Sequence, residues 1–540
     1  MKVPFNKQSL FSILIISICV LTAWSSILQI PFLNDDFQIL SFHHPHTFLD
    51  CFSPFWNKDI SGIYWRPLSN IFHSLIIFLF GYSAVPFRAV SLLLYVTLSI
   101  SLFRFIKIIG IESKISTIIT ILFSILTTHE LALMWIAGNG DVLVSIFILN
   151  AATFYFKYLN GQKTAVYYYF IFFILSILSK ESAYSAVLLP LAFFLLETKP
   201  NKNVKTMIYS ISISILLILI SLIYRYSNNL GNPFQSYSQS TFISIENVKN
   251  FIGYILLSFF SAHSLELFSS FYNSTLFFIS FLCLSVVLLF FFFKFLKKNG
   301  IISNKNFWFG LGWFIIFIVP ACAFLKRWYV LSASLGLFIA LSAFISDLTA
   351  LYVKKYFKIY LVLLFLIFSF IIYQNFLLIE KWKYCGQKTN FALNSLISLK
   401  INTPKLTVWA APDKIEDVNS MKIGLQQAVE WFCKNKNIDV FSPVRTELFE
   451  NFKFKIYKKS DSEFFISLIN GRFIPEYSTK INTLKIFNFE KSTKDYQFYI
   501  SSFYDNSILL SNLNISIEPL NSSMTYIYFD GNEFRRLPIK

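Results

Sequence analysis

Charge is scarce in this chain: 14% of its 540 residues are Asp, Glu, Lys or Arg, against about 25% in soluble globular proteins. That shortage excludes an ordinary water-facing surface over the whole molecule. Acids are scarcer still, with 29 Asp and Glu against 47 Lys and Arg, so an acid that does occur in an apolar setting calls for a reason. There is no solenoid-type repeat and no low-complexity tract, which excludes a stacked-repeat architecture. Of the six cysteines, Cys19, Cys283 and Cys322 fall in apolar runs and read as small apolar fillers. Cys51, Cys385 and Cys433 fall outside those runs, and Cys385 with Cys433 is the pair able to form a disulfide in an oxidising space.

What fills the chain instead is apolar: 55% of residues are hydrophobic and 19% aromatic. Apolar segments of about 18 to 23 residues, each enough to cover a hydrocarbon core of about 30 Å as a helix, recur along the first 380 positions. They predict about 11 transmembrane helices. The first, near 8 to 30, follows MKVPFNK without a small-residue cleavage site and reads as a retained signal anchor.

Basic loops stay in the cytoplasm. With the N-terminus inside, the segments 104–114, 157–163, 197–205, 294–300 and 347–358 are cytoplasmic, and all five are basic. The net charge of +18 is largely accounted for by these loops, so it reports membrane orientation and not nucleic-acid binding. The segments facing outward are then 31–83, 128–140, the turn near 180, 225–275, Lys326 with Arg327, and everything after 379.

Beyond Ile379 the runs shorten and charges of both signs mix in. KLTVWAAP (405–412) and TYIYFDG (525–531) read as strands and turns, and GLQQAVEWF (424–432) as an amphipathic helix. The predicted architecture is an all-α polytopic membrane domain over 1–379 and a small soluble α+β domain over 380–540 on the outer side.

Ionisable residues at membrane depth are costly and tend to be functional. In this topology Asp35, Asp36, Arg66, His129, Glu130, Asp141, Lys180, Glu181 and Arg327 all fall at outer ends of helices. Asp35 and Asp36 follow the first span directly; the alternatives are solvated loop acids or a carboxylate held near the membrane and tuned to accept a proton. Arg66, before Pro67, either snorkels to lipid phosphate or holds a substrate phosphate with its planar fork. The helix after it reads as lying on the outer membrane surface. His129 and Glu130 read as metal ligands or as the marker of a membrane boundary. Lys180 reads as a phosphate ligand with Glu181 as its partner, against a simple ion pair at a tight turn. Arg327 beside Trp328 and Tyr329 sits outward against the charge rule, which anion binding explains. His43, His44 and His46 add a weaker metal-binding pattern in a polar loop.

In order, NDD (34–36), YWRPLS (64–69), HELALMWIAGNGDVL (129–143), LSKES (178–182) and KRWYVLSASLG (326–336) resemble the polytopic C-type (GT-C) glycosyltransferases. The likeness is greatest to the O-mannosyltransferase branch that includes the transmembrane-and-tetratricopeptide-repeat proteins, and it covers roughly residues 10 to 380. The chain departs from that pattern at Gly138–Asp141, where a basic residue is missing, and at Lys326–Ser332, which lacks a proline; it also has no tetratricopeptide repeats. The C-terminal stretch 411–431 resembles the small outer domain of bacterial relatives.

The resemblance implies a GT-C-like fold and a multi-pass protein of the bacterial inner membrane, with its active site and C-terminal domain facing the periplasm. It implies transfer of a sugar from a polyprenyl-phosphate donor to an acceptor hydroxyl on a protein, glycan or lipid, with inversion. One of Asp35 and Asp36, Asp36 by preference, is then the general base, with His129 and Glu130 completing the acid side of the pocket. Arg66, Lys180 and Arg327 would face the lipid phosphate, Glu181 would partner Lys180, and Asp141 would hold a helix end or the sugar. A divalent metal ion is permitted and not required. Two other classes compete: a lipid-linked sugar transporter or flippase, which predicts half-repeats and broken helices near the bilayer centre, and a non-catalytic membrane assembly protein.

Overall fold

A computed structural model describes residues 7–57, 65–194, 204–230, 245–258, 294, 297–298, 304–323, 326–434, 437–460, 463–475, 486–492, 496–505, 510–519 and 524–537. Cys283, most of the basic loops 197–205 and 294–300, and much of 225–275 lie outside the described residues. The chain divides into two compact units: one of Met1–Leu28 and Pro45–Leu378, the other of Gln29–His44 and Ile379–Lys540.

The first unit is helical. Among the described residues of the whole chain, seven helices are long and apolar enough to cross a membrane: Lys7–Gln29, Ala84–Ile108, Ile136–Leu159, Val204–Ser227, Lys305–Ala323, Arg327–Thr349 and Phe365–Leu399. An eighth is reached if Ser113–Ile125 and Thr127–Met134, bent by 55°, form one span. The difference from the predicted eleven has a physical cause. Pro67–Phe80 and Ala165–Ser179 have the composition of spans but only 14 and 15 residues, about 22 Å of helix against a core of about 30 Å. The apolar run near 274–296 lies almost wholly outside the described residues.

Pro67–Phe80 also differs from a surface-lying helix: Ile71, His73, Ser74, Ile76 and Ile77 are all buried, so it is packed into the unit. Backbones come close where the Lys305–Ile318 helix meets the early part of the Val330–Leu399 helix. A Cβ on Gly310 would sit 2.5 Å from the Gly336 carbonyl oxygen, and one on Gly336 would sit 2.5 Å from that of Gly310. Close approach through small residues is how apolar helices pack when lipid competes for their larger side chains.

The second unit is an α/β assembly with two sheets. Its strands are β1 (Lys405–Trp409), β2 (Ala411–Ile415), β3 (Val418–Asn419), β4 (Asp439–Phe441), β5 (Val444–Lys458), β6 (Glu463–Pro475), β7 (Ile486–Ser492), β8 (Tyr496–Asp505), β9 (Leu510–Pro519), β10 (Met524–Phe529) and β11 (Phe534–Arg536). One sheet has the order β11-β10-β1-β4, the other β3-β2-β5-β6-β9-β8-β7. The two stretches that read as strands in the sequence, KLTVW and TYIYF, are neighbours: β1 runs parallel to β10, with Thr407 opposite Tyr526. Ala410, at φ 58°, breaks the extended run between β1 and β2 and lets consecutive residues serve different sheets. The Leu425–Cys433 helix buries Leu425, Ala428 and Val429, the apolar face its pattern predicts. Cys385 and Cys433 are free, not paired; Cys385 is buried, with its thiol 3.7 Å from the Val418 carbonyl.

Candidate functional site

In the first unit, four interruptions of helical structure place the charged side chains. Arg66 precedes Pro67, which disfavours a helical conformation at residue 66; it takes φ −128°, ψ 63° and caps the Pro67–Phe80 helix. Lys180 is fully extended, at φ −166°, ψ 152°, and breaks the chain between the helix ending at Ser179 and the 3₁₀ segment beginning at Glu181. Asp141 lies in the first turn of the Asn139–Leu159 helix, where a carboxylate is favoured by the helix dipole. Arg225 ends the Val204–Ser227 helix, where a cation is favoured for the same reason.

These residues form one ionic group. Lys180 Nζ donates to Asp141 Oδ2 at 2.7 Å, with both side chains about 95% buried. Arg66 Nε donates to Glu181 Oε2 at 2.9 Å, and Arg225 Nη2 stands 3.9 Å from Glu181 Oε1. Arg225 also donates to the Tyr184 hydroxyl at 3.3 Å. Neighbouring rings hold the frame, with Trp65 and Tyr224 at 5.1 Å between centroids. Gly140 permits the close packing: a Cβ there would meet Ser69 Oγ at 3.1 Å, and that hydroxyl donates to the Ser179 carbonyl. Among the described residues, three cations thus meet two carboxylates. Arg225 Nε and Nη2, Glu181 Oε1 and both polar atoms of the Asn139 amide are buried with no hydrogen-bond partner among the described residues. A buried unsatisfied polar atom costs about 1–3 kcal/mol, so the Arg225 N–H groups, held 3.9 Å from Glu181 Oε1, are donors suited to an anionic ligand.

Beside it, Glu130, buried at the first turn of the Glu130–Met134 helix, pairs with Arg327. His129 is buried with both ring nitrogens occupied: Nδ1 lies 2.7 Å from the Tyr95 hydroxyl and Nε2 3.2 Å from Ser334 Oγ. His129 thereby ties its own segment to the helices that carry Tyr95 and Ser334. A narrow cleft lined by Thr128, His129, Asp141, Arg327 and Trp328 joins this pair to the ionic group. Trp135 packs on Trp328 at 5.5 Å, and Lys326 Nζ sits 5.5 Å from the Trp328 ring.

Seven of the nine residues singled out in the sequence are therefore in one region of the first unit, but their pairing differs from expectation. Lys180 pairs with Asp141 and not with Glu181, because the extended backbone at Lys180 sends adjacent side chains to different partners.

Asp35 and Asp36 belong to the second unit. Asn34, at φ 53°, donates its backbone N–H to the Ser420 carbonyl at 2.7 Å, and its Oδ1 accepts from the Ile423 N–H at 2.7 Å. Gly424 takes φ 81° and lies so near that a Cβ would sit 2.5 Å from the Asn34 carbonyl oxygen. Asp36 is 1% exposed and its Oδ2 accepts from the Leu33 N–H at 3.0 Å, so it closes the turn that starts the Asp36–Phe42 helix. Asp35 is the more accessible acid, with Oδ1 accepting from Asn34 Nδ2 at 3.1 Å. Of the two candidate bases, Asp36, the one preferred from the sequence, is the more deeply buried, and its Oδ2 serves the backbone.

Sequence reasoning missed Arg225 and Arg88. Arg88 is fully buried and donates to the Met134 carbonyl at 2.6 Å. Both fall at helix ends assigned to the outer side, so the argument that flagged Arg66 and Arg327 applies to them equally. Among the described residues no three of His, Cys, Asp and Glu converge as a metal site, and Asp141, Glu181 and Glu130 each face a cation. No protein-family model and no curated protein sequence matches the chain.

Proposed function

We propose that the protein is a membrane glycosyltransferase that moves a sugar from a polyprenyl-phosphate donor to an acceptor hydroxyl, with inversion at the anomeric carbon. The observation that carries this reading is the largely enclosed group of Arg66, Lys180 and Arg225, which among the described residues meets Asp141 and Glu181. A lipid phosphate leaving group gains negative charge as the sugar departs, and cations fixed in advance in a low-dielectric setting stabilise that charge without reorganising. Arginine suits the task because its planar fork matches phosphate oxygens. Glu181 and Asp141 hold the cations in place, and Arg327 supplies a further, more accessible cation beside Glu130. The five motifs in family order support the same chemistry.

The general base is assigned to Asp35, the less buried of the acid pair, which takes the proton of the acceptor hydroxyl as that oxygen bonds to the anomeric carbon. Asp36 positions it by closing the turn. No step requires a metal ion. The site and the C-terminal unit are assigned to the outer face from the distribution of basic segments, and to a bacterial inner membrane from the resemblance.

The test is transfer of labelled sugar from polyprenyl-phosphate donors in vesicles. Asp35→Asn should accumulate normally and lose at least about 100-fold in kcat, within the range general-base catalysis supplies. Arg225→Ala and Arg66→Ala should lower kcat and kcat/KM for transfer by about 10-fold or more, as the loss of contacts that strengthen in the transition state requires. A wild type that transfers from no donor, or an Asp35→Asn variant of normal rate, would replace this reading with a non-catalytic assembly protein.

A further inference from the structure

The second unit carries a cleft of about 600 Å³, within the range of about 300–1,000 Å³ usual for small-molecule sites. Four separate pieces of chain form it. Helical residues Tyr384 and Lys388 make one wall, and the turn after β2 brings in Glu416. A bulge in β5 makes the third, and the turn between β10 and β11 the fourth.

The bulge is a built feature. In the β5–β6 ladder Leu448 faces Gly471 and Lys453 faces Ile469, so residues 449–452 stand opposite Asn470 alone. Asn470 Nδ2 ties the extra loop down, donating to the carbonyls of Glu450 at 3.2 Å and Asn451 at 3.3 Å. Bulges of this kind re-aim side chains and are over-represented beside functional sites. Here it delivers Glu450, Asn451 and Phe452 to the cleft. Left-handed backbone recurs around the rim, at Glu416 (φ 48°), Asn451 (φ 57°) and Gly531 (φ 104°); for the two non-glycines that conformation is costly and needs surrounding structure to hold it. The last turn is fixed by Asp530 Oδ1, which accepts from the N–H groups of Asn532 and Glu533 at 2.9 Å.

The lining chemistry selects the ligand. Lys388, Lys453 and Lys455 balance Glu416, Glu450 and Asp530, so the cleft has no net charge with which to select an ion. Lys388 Nζ donates to Asn532 Oδ1 at 2.5 Å, and Asp530 is engaged by Arg535. The side chains of Glu416, Glu450 and Asn451 make no hydrogen bond or ion pair among the described residues, while Glu447 nearby in sequence is paired with both Lys414 and Arg472. Burial, then the neighbouring Glu450, pushes the Glu416 carboxyl above its usual range. Carboxylates accept, lysines donate and amides do both, the set that hydroxyl groups require. Phe452 and Phe454, edge to face at 6.2 Å, and Tyr384 supply aromatic surface between those polar groups. A ring with hydroxyls at its rim and C–H groups on its faces meets both demands.

We infer that this cleft binds a neutral glycan. The assignment of that glycan as the acceptor rests on the glycosyltransferase reading above; the binding site itself does not. The test uses the full-length protein in lipid nanodiscs, probed on an array of neutral and acidic glycans, with sugar transfer measured in parallel. Neutral glycans should bind, and Phe452→Ala and Glu450→Gln should each weaken that binding about 10-fold or more while raising the KM for a glycan acceptor and sparing kcat. Glu450→Gln keeps the shape of the side chain, so a folding failure of Phe452→Ala does not decide the result. An array that retains no neutral glycan, acidic glycans alone, or wild-type binding in Glu450→Gln overturns the inference. So does transfer to a peptide acceptor with KM unaffected in both variants. Glycan binding by a wild type that transfers nothing leaves the cleft standing and removes the transferase.

Discussion

At the scale of single residues, Lys180 and Asp141 illustrate what burial does to an ion pair. Exposed pairs such as Lys383 with Glu380, whose carboxylate is 45% exposed, contribute about 0–1 kcal/mol. Lys180 and Asp141 are almost completely enclosed, so removing one partner leaves an uncompensated charge at a cost of about 3–5 kcal/mol. Lys180→Met should therefore sharply lower the Tm in detergent, and adding Asp141→Asn should recover most of the loss. A Lys180→Met variant as stable as wild type would mean that the Asp141 charge is satisfied elsewhere. The charged group was legible in the sequence because bases at helix ends assigned outward depart from the positive-inside pattern and acids are rare. Which acid meets which base was not, since Lys180 reaches a residue 39 positions away and ignores its neighbour.

At the scale of elements, apolar runs foretold helices but not their lengths. Ala165–Ser179 stops because Lys180 adopts an extended conformation, and composition alone does not reveal that break. The strands β1 and β10 were visible as apolar runs with turns, whereas the seven-stranded sheet depends on pairings between distant segments that no local pattern specifies. The glycine pair at 310 and 336 carries an element-scale prediction. A side chain at either position collides with the backbone of the other helix, so no rotamer change relieves it. Gly336→Leu should force the helices apart and lower detergent stability by about 1–3 kcal/mol or more, as overpacking does. Ser342→Leu, a larger side chain on the same helix, serves as a comparison for the effect of volume alone. Equal Tm for Gly336→Leu and wild type would refute backbone contact.

At the scale of the whole molecule, the basic segments lead us to expect the N-terminus and the C-terminal unit on opposite sides of the membrane, although the fifth of them, 347–358, is no loop and lies inside the Val330–Leu399 helix. An alkaline phosphatase reporter fused after Lys540 should be active in a bacterial host, and the same reporter fused in the 157–163 loop should be inactive. The reverse pattern would invert the assigned orientation and place the glycan cleft in the cytoplasm. The division into two units was only partly legible: the composition change near Ile379 marks one boundary, but nothing in NDDFQIL announces that it joins the second unit.

That membership sets an order of events during synthesis. Asn34 emerges from the ribosome early, yet the Ser420 and Ile423 groups that grip it are almost 390 residues away. The acid pair waits for nearly four-fifths of the polypeptide before its surroundings exist, so a chain that ends prematurely carries its aspartates without the scaffold that orients them. The conformation around Asn34 is therefore set late, only once residues 420–423 have been made.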